Sequence, residues 1–103
     1  MDRVIRDGRV AVLYSPGYGA GWSTWADKEL CERLLFDPVV VEWVEAGKVG
    51  EVPTDHFIDE YLYTGGADDL TIRWVPVGTQ FRIHEYDGSE SVVLISEENW
   101  FTA

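Results

Sequence analysis

The amino end of the chain carries the pattern of an antiparallel hairpin. Asp7-Gly8 separates a short strand-like segment, 3–6, from a longer one, 9–14, and this pair favours a two-residue type I′ turn. The run from Arg9 to Tyr14 is almost continuously apolar after its first residue, which is typical of a strand covered on both faces. We therefore predict a hairpin whose second strand lies centrally in the sheet.

The carboxyl part of the chain shows a period of two that predicts further strands. Leu70, Ile72 and Trp74 alternate with polar residues, and Phe81 and Ile83 do so again. A turn is expected at 75–78, and an Asp-Gly pair at 87–88 predicts a second type I′ hairpin that leads into a last strand over 89–95. The carboxyl end is therefore predicted to be a meander.

Between these regions the spacing becomes helical. One helix is predicted to begin near Asp27 and to stop at Asp37-Pro38, where Asp37 caps a second helix that Gly47 ends. A weaker third helix is predicted over 55–62, with acids in its first turn. The predicted fold class is α+β: a mainly antiparallel sheet built from the amino-terminal hairpin and the carboxyl-terminal meander, with two or three short helices inserted and packed on the sheet.

The segment 15–25 follows a strand, precedes a helix, and contains three glycines at alternate positions and three aromatic residues. This is the context in which backbone N–H groups hold phosphate. The dinucleotide fingerprint, however, needs glycine where Trp22 stands, and the P-loop needs a lysine, which does not occur before Lys28. We favour a structural loop in which Trp22 and Trp25 cover the core, and we keep an aromatic platform for a planar ligand as the alternative.

Length, composition and charge indicate one globular domain, residues 1–103. Hydrophobic residues make up 46% of the chain, and 8 basic against 19 acidic residues give a net charge of −11. We expect such a chain to bind neither nucleic acid directly nor an acidic membrane surface. A single cysteine, a start unlike a signal peptide and the lack of a long apolar run lead us to expect a cytoplasmic protein.

The residue types that most often catalyse reactions or bind metals show no arrangement in this sequence that suits either role. His56 and His84 lie in different predicted elements, and a solvent-facing strand position is the favoured interpretation of His84. Cys31 lacks a signal for an activated thiol, so a partly buried inert thiol is expected. We therefore predict a protein that is not an enzyme and that uses no cofactor or metal.

The negative charge is concentrated in the segment 42–69. It holds eight acidic residues and one basic residue, Lys48, so its net charge is −7. A one-signed region of this kind attracts basic partners, although solubility alone is a simpler explanation. The candidate partner-binding residues are Glu51, Asp55, Asp59, Glu60, Asp68 and Asp69.

Several blocks of the sequence resemble a family of small acidic proteins of phages, prophages and bacterial genomes. They are Val10-Ala11-Val12-Leu13, the segment 15–25, Leu35-Phe36-Asp37-Pro38, Gly65-Gly66-Ala67 and Glu85-Tyr86-Asp87-Gly88-Ser89-Glu90. The family includes a type II-A anti-CRISPR protein, which inhibits an RNA-guided DNA nuclease. The resemblance covers nearly the whole chain and implies a non-enzymatic inhibitor whose partner is that nuclease or its guide complex. It assigns no role to a single residue, and the charge distribution makes the acidic segment the expected contact.

The alternative function is a nucleotide-binding or nucleotide-sequestering phage counter-defence protein that uses the glycine-rich loop. Aromatic side chains would stack on the base, while loop N–H groups and arginines would hold the phosphates. The candidate ligand-binding residues are Tyr14, Tyr18, Trp22, Trp25, Arg73 and Arg82.

Overall fold

A computed structural model describes residues 3–17, 21–26, 28–54 and 66–95. The strands are β1 (Ile5–Arg6), β2 (Arg9–Tyr14), β3 (Thr71–Pro76), β4 (Phe81–Tyr86) and β5 (Ser89–Leu94), and the helices are α1 (Lys28–Phe36) and α2 (Pro38–Glu45). Single 3₁₀ turns occupy Ser23–Trp25 and Ala67–Asp69. This arrangement confirms the α+β class, while the third helix predicted over 55–62 lies outside the described residues.

Both predicted Asp-Gly turns have the type I′ geometry. Asp7 and Gly8 have φ values of +51° and +74°, and Asp87 and Gly88 have values of +51° and +85°. The first turn joins β1 to β2, and the second joins β4 to β5, in antiparallel register. The hairpin predictions are therefore confirmed down to the backbone conformation of their turns.

The strands divide between two sheets. β1, β2 and β3 form an antiparallel sheet with β2 in the centre, as its apolar run predicted, and β4 pairs with β5 in a separate hairpin. The turn after β3 is present, with a φ of +86° at Gly78, but it leads the chain away from the first sheet. β3 instead pairs along all six residues of β2, so the carboxyl-terminal strands are successive along the chain without forming one sheet.

The division follows from the two apolar faces of β2. Ala11 and Leu13 belong to a cluster with α1 and α2 residues, whereas Val10 and Val12 belong to a second cluster that includes Val92 of β5. The β4–β5 hairpin thus covers the face of the sheet opposite α2, and neither face of β2 is left to water. The first cluster also contains Trp22, Leu34, Val40, Val41, Ala67 and Leu70, and the second also contains Phe36 and Val75.

A single residue, Asp37, separates the two helices. Its carboxylate accepts a 2.9 Å hydrogen bond from the N–H of Val40, and Pro38 occupies the start of α2, as predicted. Gly47, with a φ of +92°, follows the end of α2 in the left-handed conformation expected there. Within the described ranges, neither helix is long and apolar enough to cross a membrane.

Candidate functional site

The glycine-rich loop is folded around the carboxylate of Glu90. One carboxylate oxygen accepts a 2.9 Å hydrogen bond from the N–H of Ser15, and the other accepts bonds of 2.9 and 3.0 Å from the N–H groups of Trp22 and Thr24. The hydroxyl of Thr24 also donates to this second oxygen. The backbone N–H of Glu90 in turn donates to the carbonyl of Ser15 at 2.8 Å. β5 and the loop are therefore joined through one side chain.

This arrangement is an anion-binding site, and the anion that occupies it is the side chain of Glu90 from the same protein. Glu90 is only 1% exposed, so its carboxylate has exchanged water for these donors. A buried carboxylate is costly unless it is hydrogen-bonded at both oxygens, and backbone N–H groups oriented by a glycine-rich turn meet that requirement. The donors that sequence reasoning assigned to a phosphate are thus engaged by an internal acid.

Sequence reasoning missed Glu90 as part of the loop. Its partners Ser15, Trp22 and Thr24 are 66 to 75 residues away, so no local spacing connects them. A usable signal exists in β5, because Glu90 shares a strand face with Val92 and both are buried. A lone acid on the apolar face of a strand indicates a buried partner for its charge.

A second contact holds the loop against the 3₁₀ turn 67–69. A Cβ atom added to Gly66 would lie 2.2 Å from the carbonyl oxygen of Gly21, and one added to Gly17 would lie 2.1 Å from the carboxylate of Asp69. Gly66 is required by this close approach, because the neighbouring atom belongs to the backbone, whereas the exposed side chain of Asp69 could rotate away from a Cβ at position 17. Asp69, predicted to bind a partner, therefore packs against the loop even though it remains exposed overall.

Within the described residues, the side chains of the alternative ligand site do not gather around one exposed cavity. Trp22 is fully buried and its Nε1 donates to the carbonyl of Leu34 at 2.7 Å, so it belongs to the core and cannot stack on a ligand at the surface. Tyr14 is half-buried at the end of β2, and Arg73 donates to the carbonyl of Val92 at 2.8 Å. Arg82 lines a separate groove. Tyr18 and the side chain of Trp25 lie outside the described part of the structure.

Three of the six predicted partner-binding acids fall within the described residues. Glu51 and Asp68 are exposed, as is Asp69. The ammonium group of Lys48 donates to the carbonyl of Asp68 at 2.7 Å, so the chain just after α2 contacts the 3₁₀ turn 67–69. Asp55, Asp59 and Glu60 lie outside the described residues.

The acidic side chains differ in how far the protein itself neutralises them. Glu32 forms an ion pair with Arg3, and Glu45 forms a two-pronged pair with Arg6. The hydrogen bond and negative charge of Glu45 raise the pKa of Arg6 above its usual value. In contrast, Glu42, Glu51 and Asp68 are exposed, and their carboxylates contact no hydrogen-bond donor or basic group among the described residues.

The other candidate chemical groups are dispersed. His84 is exposed on β4, as the strand pattern predicted, and the thiol of Cys31 is half-buried on α1. In the four described ranges no three His, Cys, Asp or Glu side chains are placed to share a metal ion. His56 lies outside those ranges.

Comparisons with known proteins leave the chain without an assigned family. No family model matches the sequence, and no significant match is found among curated proteins or solved structures.

Proposed function

We propose that this protein is a non-enzymatic inhibitor that binds a type II-A RNA-guided DNA nuclease, or its guide complex, through its acidic surface. The acidic surface is defined here by Glu42, Glu51 and Asp68. The observation that carries the proposal is that these three carboxylates are exposed and that no basic group within the described ranges neutralises them. The family resemblance supplies the identity of the partner, and the bacterial cytoplasm is where the two would meet.

Electrostatic complementarity supports this choice of partner. Such nucleases hold the guide–target duplex in a positively charged channel and read the short flanking motif through arginines. A domain with a net charge of −11 would compete for the same basic surface without catalysing any reaction. The same charge opposes direct binding to a nucleic acid.

The proposal is tested by comparing two variants that have the same net charge. The first neutralises the acidic surface by Glu42→Gln, Glu51→Gln and Asp68→Asn. The second adds three lysines at exposed positions elsewhere, by Val77→Lys, Tyr86→Lys and Ser91→Lys. Each variant raises the net charge by three, so only the location of the change differs.

Binding to the purified nuclease is measured by surface plasmon resonance with and without guide RNA, alongside inhibition of DNA cleavage. We expect the wild type to bind and inhibit, the first variant to associate about tenfold more slowly, and the second to differ little from wild type. If the protein binds the nuclease neither with guide RNA nor without it, the proposed function is overturned. Equal losses in the two variants would show that net charge, and not the acidic surface, governs association.

A further inference from the structure

An apolar ridge follows one side of α2 and continues into the loop after it. Val39 and Trp43 are four residues apart on the helix, and Ala46 caps its end three residues later, so these side chains share one side of α2. Val49 completes the ridge just beyond the helix. Trp43 is half-buried and the other three residues are exposed. Val49 is 79% exposed, more than any other large apolar residue that the structure describes.

Hydrogen bonds to α2 hold the loop that carries Val49. The N–H of Gly47 donates to the carbonyl of Val44 at 3.1 Å. The N–H of Lys48 donates to the carbonyl of Trp43 at 2.9 Å, which completes the pattern of a Schellman helix end. The indole Nε1 of Trp43 then donates to the carbonyl of Val49 at 3.2 Å. The most exposed residue of the ridge is therefore fixed through the indole of its neighbour in the ridge.

Lys48 adopts a backbone conformation that residues with side chains seldom take. Its φ is +59°, in the left-handed region, and Gly47 before it has a φ of +92°. The ammonium group of Lys48 donates to the carbonyl of Asp68 at 2.7 Å, so this residue is also held from the 3₁₀ turn 67–69. Backbone strain persists where surrounding contacts enforce it, and such positions cluster at functional sites. The two left-handed residues set the direction in which the chain leaves α2, and Val49 follows them directly.

The residues of the acidic surface border this ridge. Glu42 lies one helical turn before Ala46 and is therefore its neighbour on α2. Glu51 follows Val49 by two residues, and Asp68 is tied to the same loop at its backbone carbonyl. Exposed apolar residues with a charged border have the composition of a protein interface, whose centre loses its water while its edge stays hydrated.

We infer that the ridge is the apolar anchor of the contact with the nuclease, and that it enters an apolar pocket bordered by lysine or arginine side chains. The inference rests on the proposed function. Charge complementarity selects this partner, because three unneutralised carboxylates beside the ridge attract a basic border and repel a second copy of the chain. A few central contacts carry most of the binding energy of an interface, whereas charges at its edge mainly set the rate of encounter. The ridge therefore determines how long the complex lasts, and the acidic surface determines how fast it forms.

The test measures association and dissociation rates by surface plasmon resonance on the purified nuclease, with and without guide RNA. Val49→Thr and Val39→Thr keep the branched shape of valine but place a hydroxyl in the anchor. We expect them to raise the dissociation rate about tenfold and about threefold, with unchanged association rates. Val77→Thr makes the same change at an exposed valine outside the acidic surface and should alter neither rate. Thermal melting of each variant establishes that it is folded, and all three valines are exposed.

A wild-type dissociation rate in either ridge variant would overturn the inference, as would an equal increase in Val77→Thr. If the variant with a neutralised acidic surface still associates more slowly in that case, the proposed function stands without the anchor. A wild type that binds the nuclease in neither state overturns both. Size-exclusion chromatography gives the oligomeric state of the free protein. A dimer that Val49→Thr dissociates would assign the ridge to a second copy of the chain and overturn the inference.

Discussion

At the residue scale, Glu90 joins backbone groups from two parts of the glycine-rich loop to β5. Its carboxylate accepts three backbone N–H donors and one hydroxyl, all from residues 15–24. The carboxylate is charged and buried, and its donors surround it. Both its charge and its shape therefore determine how the loop is held. Sequence reasoning favoured a structural loop and kept phosphate binding by its N–H groups only as part of an alternative. It did not find Glu90, because this residue lies on a strand 66 to 75 residues further along the chain.

We predict that Glu90→Gln lowers the free energy of unfolding by about 3 kcal/mol. The amide replaces one acceptor oxygen with an NH₂ group, which faces N–H donors that then lack a partner. Urea denaturation of the variant and of the wild type measures the difference. Glu42→Gln makes the same chemical change at an exposed position and should alter stability by less than about 0.5 kcal/mol; equal effects of the two changes would contradict the role of Glu90.

We also predict that Gly66→Ala and Gly8→Ala destabilise the protein for different reasons. Gly66 has an ordinary φ of −86°, but a Cβ there would lie 2.2 Å from the carbonyl oxygen of Gly21. Gly8 has open space around it and a φ of +74°, so only backbone strain opposes a side chain. We expect a cost of about 1 kcal/mol at Gly8 and of at least about 2 kcal/mol at Gly66, measured as shifts in the urea midpoint. A smaller loss at Gly66 than at Gly8 would show that the loop moves aside freely.

At the scale of elements, the sequence predicted the turns and the helix cap correctly, because these depend on neighbouring residues. It did not predict which distant segments would pack together. The two Asp-Gly turns and the Asp37 cap each depend on residues two to four apart, and each is confirmed. The position of the β4–β5 hairpin depends instead on the two apolar faces of β2, each of which is covered by segments far along the chain. The sequence showed that β2 would be buried on both sides without showing that the β4–β5 hairpin would cover one of them.

We predict that Asp37→Ala lowers the free energy of unfolding by about 1–2 kcal/mol, because it removes the acceptor for the N–H of Val40 at the start of α2. Asp37→Ser keeps a capping oxygen and should recover most of the loss. Thermal melting followed by circular dichroism compares the two variants. Indistinguishable melting midpoints for Ala and Ser would exclude the cap as the source of the effect.

At the scale of the whole molecule, the net charge of −11 has opposite effects on folding and on association with a basic partner. Repulsion among carboxylates opposes the compact state, and salt screens that repulsion over a Debye length of about 8 Å at physiological ionic strength. Attraction to a basic partner is screened in the same way. The acidic segment was evident from the sequence, but the position of Arg6 was needed to show that Glu45 is neutralised while Glu42, Glu51 and Asp68 contact no basic group among the described residues.

We predict that raising sodium chloride from 10 to about 200 mM increases the stability of the isolated protein by up to about 1 kcal/mol while slowing its association with the nuclease. The variant with Glu42→Gln, Glu51→Gln and Asp68→Asn should show a smaller salt effect in both measurements. Urea denaturation and surface plasmon resonance at matched salt concentrations provide the comparison. Association that is unaffected by salt would exclude steering by the acidic surface.

The bond between the first loop and β5 also affects the order in which the chain can fold during synthesis. Glu90 emerges from the ribosome 66 to 75 residues after the donors at Ser15, Trp22 and Thr24. Until then the loop lacks its acceptor, and the contact that orders it spans most of the chain, which makes its closure a late event. In the folded protein, the loop still depends on Glu90 of β5. The amide protons of Trp22 and Thr24 should therefore exchange with solvent only when β5 detaches, although they lie in an irregular segment.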